Sequence, residues 1–144
     1  MTELTILLVK PDAVRKNAVN SIINKLKNAG LSVLLRRQIH LSYKQARMLY
    51  KIHCKELFFN DLIKFMTSST SEVLIVYGEN AIKRVNQICG HNDPKKALSG
   101  TFRRLYGTGK IENAVHSSSD EQSVLAELKL FFGNKDISKL ITKK

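Results

Sequence analysis

The sequence contains no tryptophan, and it has only two prolines and two cysteines among 144 residues. Cys54 and Cys89 lie in separate segments and lack the CxxC or Cys/His spacing of a zinc site. Two cysteines are also too few for a disulfide framework. We therefore expect both thiols to be reduced and packed inside the protein.

Long hydrophobic runs are missing as well. The longest purely apolar runs, residues 6–9 and 73–77, have the length of a strand, far short of the roughly 20 residues of a transmembrane helix. The first residues, Met1-Thr2-Glu3, carry neither the basic start nor the apolar stretch of a secretory signal. These features predict a cytoplasmic protein with no membrane partner.

Acidic residues are scarce relative to basic ones: 12 Asp and Glu stand against 24 Lys and Arg, for a net charge of +12. An excess of positive charge favours polyanionic partners. By itself it favours nucleotides and nucleic acids about equally. A short basic tail from about residue 133 adds Lys135, Lys139, Lys143 and Lys144 against Asp136. A solvated surface explains most of this charge, so particular residues must decide between the two partners.

The hydrophobic pattern alternates between strands and helices and shows no repeat or linker. This order predicts a single domain over residues 1–144, in which helices cover one sheet, and it leaves open whether the strands are parallel. Residues 91–110 are expected to be irregular. Strands are predicted at residues 4–9, 31–35, 73–77 and 112–115, and helices at 11–29, 42–50, 58–66, 82–89 and 119–132.

Residue types at the ends of these segments predict where several helices begin and end. Pro11 fits a first helical turn, while Gly30 and Gly90 fit helix ends. Two capping boxes are predicted, one from Ser42 with Gln45 and one from Ser119 with Gln122.

His116 is the first candidate for chemistry, because it falls between a predicted strand and the start of a predicted helix. Backbone amides at a helix N-terminus favour a phosphate nearby, and an imidazole nitrogen without a proton can attack phosphorus. Glu127 could orient the ring if the chain folds back. Taken alone, such a histidine is more often a packed or capping residue.

Basic residues supply the other candidates. Lys10 follows the first strand directly, and Arg103 and Arg104 lie in the glycine-rich region, where guanidinium groups could bind phosphates in two-point contacts. Each of these alone is most often a solvated charge. The run from Gly107 to Lys110 does not satisfy the P-loop pattern, and no strand leads into it.

Together these segments resemble the nucleoside diphosphate kinase family, from about residue 5 to residue 132. The motifs occur in the order and at the spacing of that family. They are Lys10-Pro11-Asp12-Ala13-Val14, Phe58-Phe59, Phe65-Met66-Thr67-Ser68, Gly100-Thr101-Phe102-Arg103 and Asn113-Ala114-Val115-His116, followed by Glu127 and Phe131-Phe132.

The resemblance implies an α+β, ferredoxin-like fold, a four-stranded antiparallel sheet with helices on one face, packed into homo-hexamers or tetramers. It also implies ping-pong transfer of the γ-phosphate of a nucleoside triphosphate to a nucleoside diphosphate through a phosphohistidine at His116. Mg²⁺ would arrive with the nucleotide, held by phosphate oxygens and water rather than by protein side chains.

The same resemblance implies a role for each matching residue. Lys10 would contact the transferring phosphate, Arg103 the nucleotide phosphates, and Phe58 would stack on the base. Asn113 would hydrogen-bond the sugar or phosphates. Tyr50 would shape the pocket beside His116, and Ser118 and Glu127 would orient the imidazole.

Several positions depart from the family pattern. Asn86 stands where the family usually has a phosphate-binding arginine, and Asn92 where it has a threonine, so we expect both to contact the nucleotide more weakly. Arg84 or Arg104 could supply the missing charge. The usual His-Gly-Ser-Asp run reads His116-Ser117-Ser118-Ser119, and a glycine-like angle at Ser117 would carry a strain of about 1 to 3 kcal/mol.

These departures and the basic surface leave a second hypothesis. In that reading, the chain is a catalytically impaired member of the same fold that binds nucleic acid or protein. Retention of Lys10, Arg103, His116 and Glu127 favours the enzyme.

Overall fold

The computed structural model describes residues 1–134 and 137–142. Within them the chain forms four strands, eight helices and one short 3-10 turn at Lys51–His53. The strands are β1 (Thr2–Val9), β2 (Ser32–Ile39), β3 (Ser71–Glu79) and β4 (Val115–Ser117). The helices are α1 (Pro11–Arg15), α2 (Val19–Asn28), α3 (Tyr43–Leu49), α4 (Phe59–Thr67), α5 (Ala81–Cys89), α6 (Phe102–Tyr106), α7 (Glu121–Phe132) and α8 (Ile137–Thr142).

The four strands form one sheet in the order β2-β3-β1-β4, and every pair of neighbours is antiparallel. The antiparallel sheet that the resemblance implies is therefore confirmed, together with the α+β class. β1 lies between two other strands, and its C-terminal half is buried. Lys10 follows Val9 directly, so it is buried at the end of this strand.

Helices cover both faces of this sheet, so the expectation of helices on one face was wrong. Leu7 and Val9 pack into a core with α2 and α5, whereas Ile6 and Leu8 pack into a second core with α3, α4 and α7. Successive side chains of a strand point to opposite faces. A central strand that is covered on both faces has a continuous apolar sequence, as residues 6–9 have.

The helix predicted over residues 11–29 is broken in two. Pro11 occupies the first turn of α1 as predicted, but α1 ends at Arg15. Asn17 then adopts a left-handed conformation with φ +58°, which an asparagine tolerates better than most residues. The chain changes direction there before α2 begins at Val19.

The helix ends predicted by glycine are confirmed at Gly30 and Gly90, as is the capping box of Ser42 with Gln45. The second predicted capping box is wrong. Asp120 is the N-cap of α7, and its carboxylate accepts a hydrogen bond from the Ser123 amide.

The segment before His116 also differs from the prediction. The fourth strand spans Val115–Ser117 rather than residues 112–115, because the chain turns at Ala114, where φ is +78°. His116 therefore lies inside β4, opposite Leu8 of β1. The expected irregular stretch contains α6, which Thr101 caps by accepting from the Arg104 amide.

Backbone strain falls at Ala114 instead of Ser117. Asn17, Asn80 and Ala114 are the non-glycine residues of the described chain with positive φ, and Ser117 is not among them. The predicted strain at Ser117 was therefore wrong, because Ser117 is an ordinary β4 residue.

The two cysteines have different environments. Cys89 is buried as predicted, but Cys54 is exposed, so its packing was wrongly predicted. Lys135, Asp136, Lys143 and Lys144 of the predicted basic tail lie outside the described residues. Among the residues described, no helix has the length and apolar character that crossing a membrane requires.

Candidate active site

A cavity of about 230 Å³ opens beside His116. The end of β1, the turn after α3, the start of α4, α6 and β4 meet around it. Seven residues predicted for the site line this cavity: Lys10, Tyr50, Phe58, Asn92, Arg103, Asn113 and His116.

The ring of His116 is fixed from two sides. Its Nε2 lies 3.1 Å from Glu127 Oε2, although Glu127 is on α7 and His116 on β4. The Tyr50 ring packs against it edge-on, with centroids 5.4 Å apart. Since a carboxylate only accepts hydrogen bonds, Nε2 is the donor in this contact, and in the neutral form of the ring Nδ1 then has a free lone pair.

Glu127 is itself held at its second oxygen. The buried Ser118 hydroxyl donates to Glu127 Oε1 over 2.7 Å. Both oxygens of this carboxylate are engaged, so Ser118, Glu127 and His116 form one hydrogen-bonded unit.

Lys10 is a buried cation at the floor of the cavity. Its ammonium donates to the Ile111 carbonyl over 2.6 Å and to Asn113 Oδ1 over 2.7 Å. Burial, opposed by the nearby carboxylate of Asp12 and reinforced by Arg103, lowers the pKa of Lys10 to about 7. An anion entering the cavity would favour the charged form.

Arg103 is anchored to the backbone of two separate segments, after α5 and at the start of β4. Its Nη1 donates to the Gly90 carbonyl over 2.7 Å and its Nη2 to the Val115 carbonyl over 3.0 Å. Burial also lowers the pKa of this guanidinium. Each terminal nitrogen carries two hydrogens, so donors remain for a ligand after both backbone bonds are made.

The polar and aromatic residues of the cavity wall are linked to one another. Asn113 accepts from Lys10 and donates to the Asn92 carbonyl over 2.9 Å. Burial raises the pKa of Tyr50, so its phenol stays protonated and its hydroxyl faces Met66 Sδ at 3.7 Å. Phe58 also lines the cavity and is half-buried, with its ring centroid 5.7 Å from that of His53.

Asn86 does not line this cavity. Its amide oxygen accepts from the Ser117 hydroxyl, and its amide nitrogen donates to the Ser118 carbonyl over 3.0 Å. Asn86 instead lines an adjoining cavity beside His116 and Glu127, which Asn92 and Arg103 also line.

The two arginines considered as substitutes for a missing charge do not line the cavities beside His116. Arg84 donates to the carbonyls of Ala29 and Glu79. Arg104 donates to the carbonyls of Pro94 and Lys95. The structure therefore does not bring either arginine to the predicted site.

Four residues near His116 were missed by sequence reasoning. Lys96, Lys110 and His53 line the cavity. No periodic pattern marks the first two, because they lie in the irregular stretch. Asp12 was quoted only as part of a motif, yet its Oδ2 accepts from the Ala114 amide over 2.9 Å and so holds the left-handed turn before β4. Burial raises the pKa of this carboxyl.

Comparisons with known proteins agree with this geometry. The family model described as nucleoside diphosphate kinase matches residues 3–137. The nucleoside diphosphate kinase of Nitrosococcus oceani is 41% identical over 94% of both chains. That of Wigglesworthia glossinidia brevipalpis is 42% identical over 90% of this chain and 92% of its own.

Solved structures give the same result. The Aquifex aeolicus nucleoside diphosphate kinase superposes with a TM-score of 0.86 at 31% identity, covering 93% of this chain and 97% of its own. The nucleoside diphosphate kinase of Halobacterium salinarum, solved in complex with CDP, gives 0.87 at 29% identity, covering 98% and 99% of the two chains.

Proposed function

Because this chain belongs to the nucleoside diphosphate kinase family and is therefore a phosphotransferase that acts on nucleotides, we propose that His116 carries the phosphoryl group between them. The contact of His116 Nε2 with Glu127 inside a cationic cavity carries this proposal. We take residues 1–144 as one kinase domain with a short basic tail from about residue 133.

In the first half-reaction, Nδ1 of His116 attacks the γ-phosphorus of a nucleoside triphosphate. An N–P bond forms, the bond from the γ-phosphorus to its bridging oxygen breaks, and the nucleoside diphosphate leaves with the electron pair. The proton on Nε2 stays in the bond to Glu127, and the carboxylate balances the positive charge that the phosphorylated ring gains. A second nucleoside diphosphate then attacks the phosphohistidine and reverses these steps.

Cations around His116 supply most of the stabilisation, since phosphoryl transfer depends on positioning and charge neutralisation. We assign Lys10 to the transferring phosphate and Arg103 to the other phosphates. Lys96 and Lys110 add charge at the cavity wall. Asn86 is left out of this set, because its amide is bonded to Ser117 and Ser118.

Magnesium would be carried by the nucleotide, whose charge it would help to neutralise. The cavity wall combines four cationic side chains with the carboxylate of Asp93, an environment that repels a free divalent ion. Phosphate oxygens and water therefore suit this ion better than the side chains of the wall.

For the rest of the nucleotide, we assign Phe58 to stack on the base, and Asn113 and Asn92 to hydrogen-bond the sugar or phosphates. Stacking uses the face of a base and does not read its edge. The enzyme should therefore accept different bases. Tyr50 holds the ring of His116 from the side.

We also propose a homo-oligomer of six or four chains. Leu98 and Leu105 are large apolar side chains that are 78% and 51% exposed on the surface of one chain, which supports burial against another copy. Light scattering of the full chain would measure the assembly, and a monomer at micromolar concentration would contradict the proposal.

The alternative of an impaired binding module is not favoured, since the matched relatives are nucleoside diphosphate kinases over nearly their whole length. Incubation with γ-labelled ATP and magnesium should give an acid-labile label on the protein, and GDP or UDP should remove it. His116→Ala should abolish the label, while His40→Ala, at an exposed histidine outside the cavity, should keep it. Label retained by His116→Ala would contradict the assigned nucleophile.

A further inference from the structure

The side chains of Asn86 and Ser117 join α5 to β4 next to His116. The Ser117 hydroxyl donates to the Asn86 amide oxygen, and the Asn86 amide nitrogen donates to the Ser118 carbonyl over 3.0 Å. Both residues border a second cavity that His116 and Glu127 also line. The contact therefore lies beside the unit that holds the ring.

We propose that Asn86 and Ser117 form a positioning pair that holds the segment after His116 and, through Ser118 and Glu127, sets the orientation of the imidazole during phosphoryl transfer. The proposal rests on the function given above and assigns a role to two residues that do not line the cavity of about 230 Å³.

The inference rests on four hydrogen bonds that connect Asn86 to His116. Ser117 and the Ser118 carbonyl are bonded to Asn86, the Ser118 hydroxyl is bonded to Glu127, and Glu127 is bonded to His116. β4 contains only three residues and pairs with β1 on one side. The side chain of Asn86 therefore adds an anchor from α5 to the end of this short strand, beyond its backbone bonds to β1.

Asn86 and Ser117, two of the departures from the family pattern, are the two ends of one hydrogen bond. A glycine at position 117 has no hydroxyl to donate, and an arginine at position 86 has no side-chain acceptor. The asparagine and the serine therefore make a contact that a glycine and an arginine could not make.

A positioning role and a nucleotide-binding role predict different kinetics. Loss of a group that orients His116 slows the chemical step and leaves the Michaelis constant for nucleotide unchanged. Loss of a phosphate ligand raises the Michaelis constant. The structure predicts the first result for Asn86→Ala and for Ser117→Ala.

The test begins with rapid measurement of phosphoenzyme formation by the wild-type chain at saturating nucleoside triphosphate. Absence of a phosphoenzyme there would refute the function itself. Given a phosphoenzyme, Ser117→Ala should slow its formation about tenfold, the factor expected for one net hydrogen bond, and Asn86→Ala, which removes two hydrogen bonds, by at least as much. Gln87→Ala, at an exposed neighbour on the same helix, should leave the rate unchanged.

The double variant Asn86→Ala/Ser117→Ala completes the comparison. Because both changes break the same contact, it should be no slower than the slower single variant. Additive losses would show that the two residues act independently and would overturn the pairing.

Nitrogen-15 spectra of the imidazole provide a readout that a merely structural role would not move. The chain has four histidines, and the His116→Ala spectrum identifies the signals of His116. Wild-type signals should show a proton held on Nε2, and both Ala variants should show mixed protonation of the two nitrogens. Unchanged ring signals together with unchanged phosphoenzyme rates would overturn the proposal.

Discussion

The ammonium of Lys10 lies 2.7 Å from Asn113 Oδ1, across 103 positions of sequence. This contact joins the end of β1 to the turn that precedes β4 and places a buried cation at the cavity floor. The pKa of Lys10 is lowered to about 7 because the charged form is removed from water. Two consequences for pH dependence follow.

Stability should rise with pH above neutrality because of Lys10. Unfolding returns this pKa from about 7 to 10.5, so between those values the unfolded chain binds more protons than the folded chain. Lys10 therefore destabilises the fold most below pH 7 and least above 10.5. In urea unfolding, Lys10→Met should raise the free energy of unfolding above that of the wild-type chain by more at pH 6 than at pH 9. An equal gain at both pH values would contradict the burial argument.

Nucleotide affinity should fall as pH rises above about 7, because binding of phosphates requires the protonated lysine. Calorimetric titration of a nucleoside diphosphate with magnesium between pH 6 and 9 measures this. The same titration of Lys10→Met should be weaker throughout and should lose the part of the pH dependence that Lys10 contributes. A pH profile identical in both proteins would rule out titration of Lys10.

Glu127→Gln should reduce phosphoryl transfer by about 10²-fold or more, the range typical of loss of a positioned acid or base. An amide at this place can donate to Nε2, which favours the proton on Nδ1 and removes the lone pair that attacks phosphorus. Glu121→Gln, at an exposed residue of the first turn of α7, is the matched control and should keep wild-type rates. A Glu127→Gln enzyme of normal rate would show that the carboxylate does not select the tautomer.

Sequence reasoning recovered the residues around His116 because their types and order carry the information. The apolar run of β1 predicts a buried strand that ends at Lys10, and the match of separated motifs brings Arg103 and Glu127 to the same site. Contacts between side chains were not accessible in this way. The bonds of Asn86 to Ser117 and Ser118 depend on how α5 packs beside β4, which periodicity does not specify.

The errors have a common physical origin in local backbone geometry. Asn17 and Ala114 adopt positive φ, and each moves the start of the next element: α2 begins after the first and β4 directly after the second. Alanine gives no sequence signal for such a conformation. The turn at Ala114 exists because Asp12 accepts its amide hydrogen, a contact between residues that are 102 positions apart.

Asp12→Ala should destabilise the protein by about 1 to 3 kcal/mol, since it leaves the buried Ala114 amide without its acceptor. Activity should fall as well, because Ala114 precedes His116 by two residues. Asp12→Asn retains an oxygen that can accept the same hydrogen and should lose less stability. Urea unfolding of the two variants measures the difference, and equal losses would show that the Ala114 contact does not account for the effect.

Lys96→Ala should raise the Michaelis constant for nucleotide several-fold and leave the turnover number nearly unchanged. Lys96 lines the cavity but, unlike Lys10, is exposed, so it adds attraction for phosphates without a fixed position at the reacting atom. The effect should shrink as salt rises from 0.05 to about 0.5 M, because salt screens exposed charges. Lys95→Ala removes the same charge one residue away, outside the cavity lining, and serves as the control. If both variants raise the Michaelis constant equally, overall charge rather than the placement of Lys96 attracts the nucleotide.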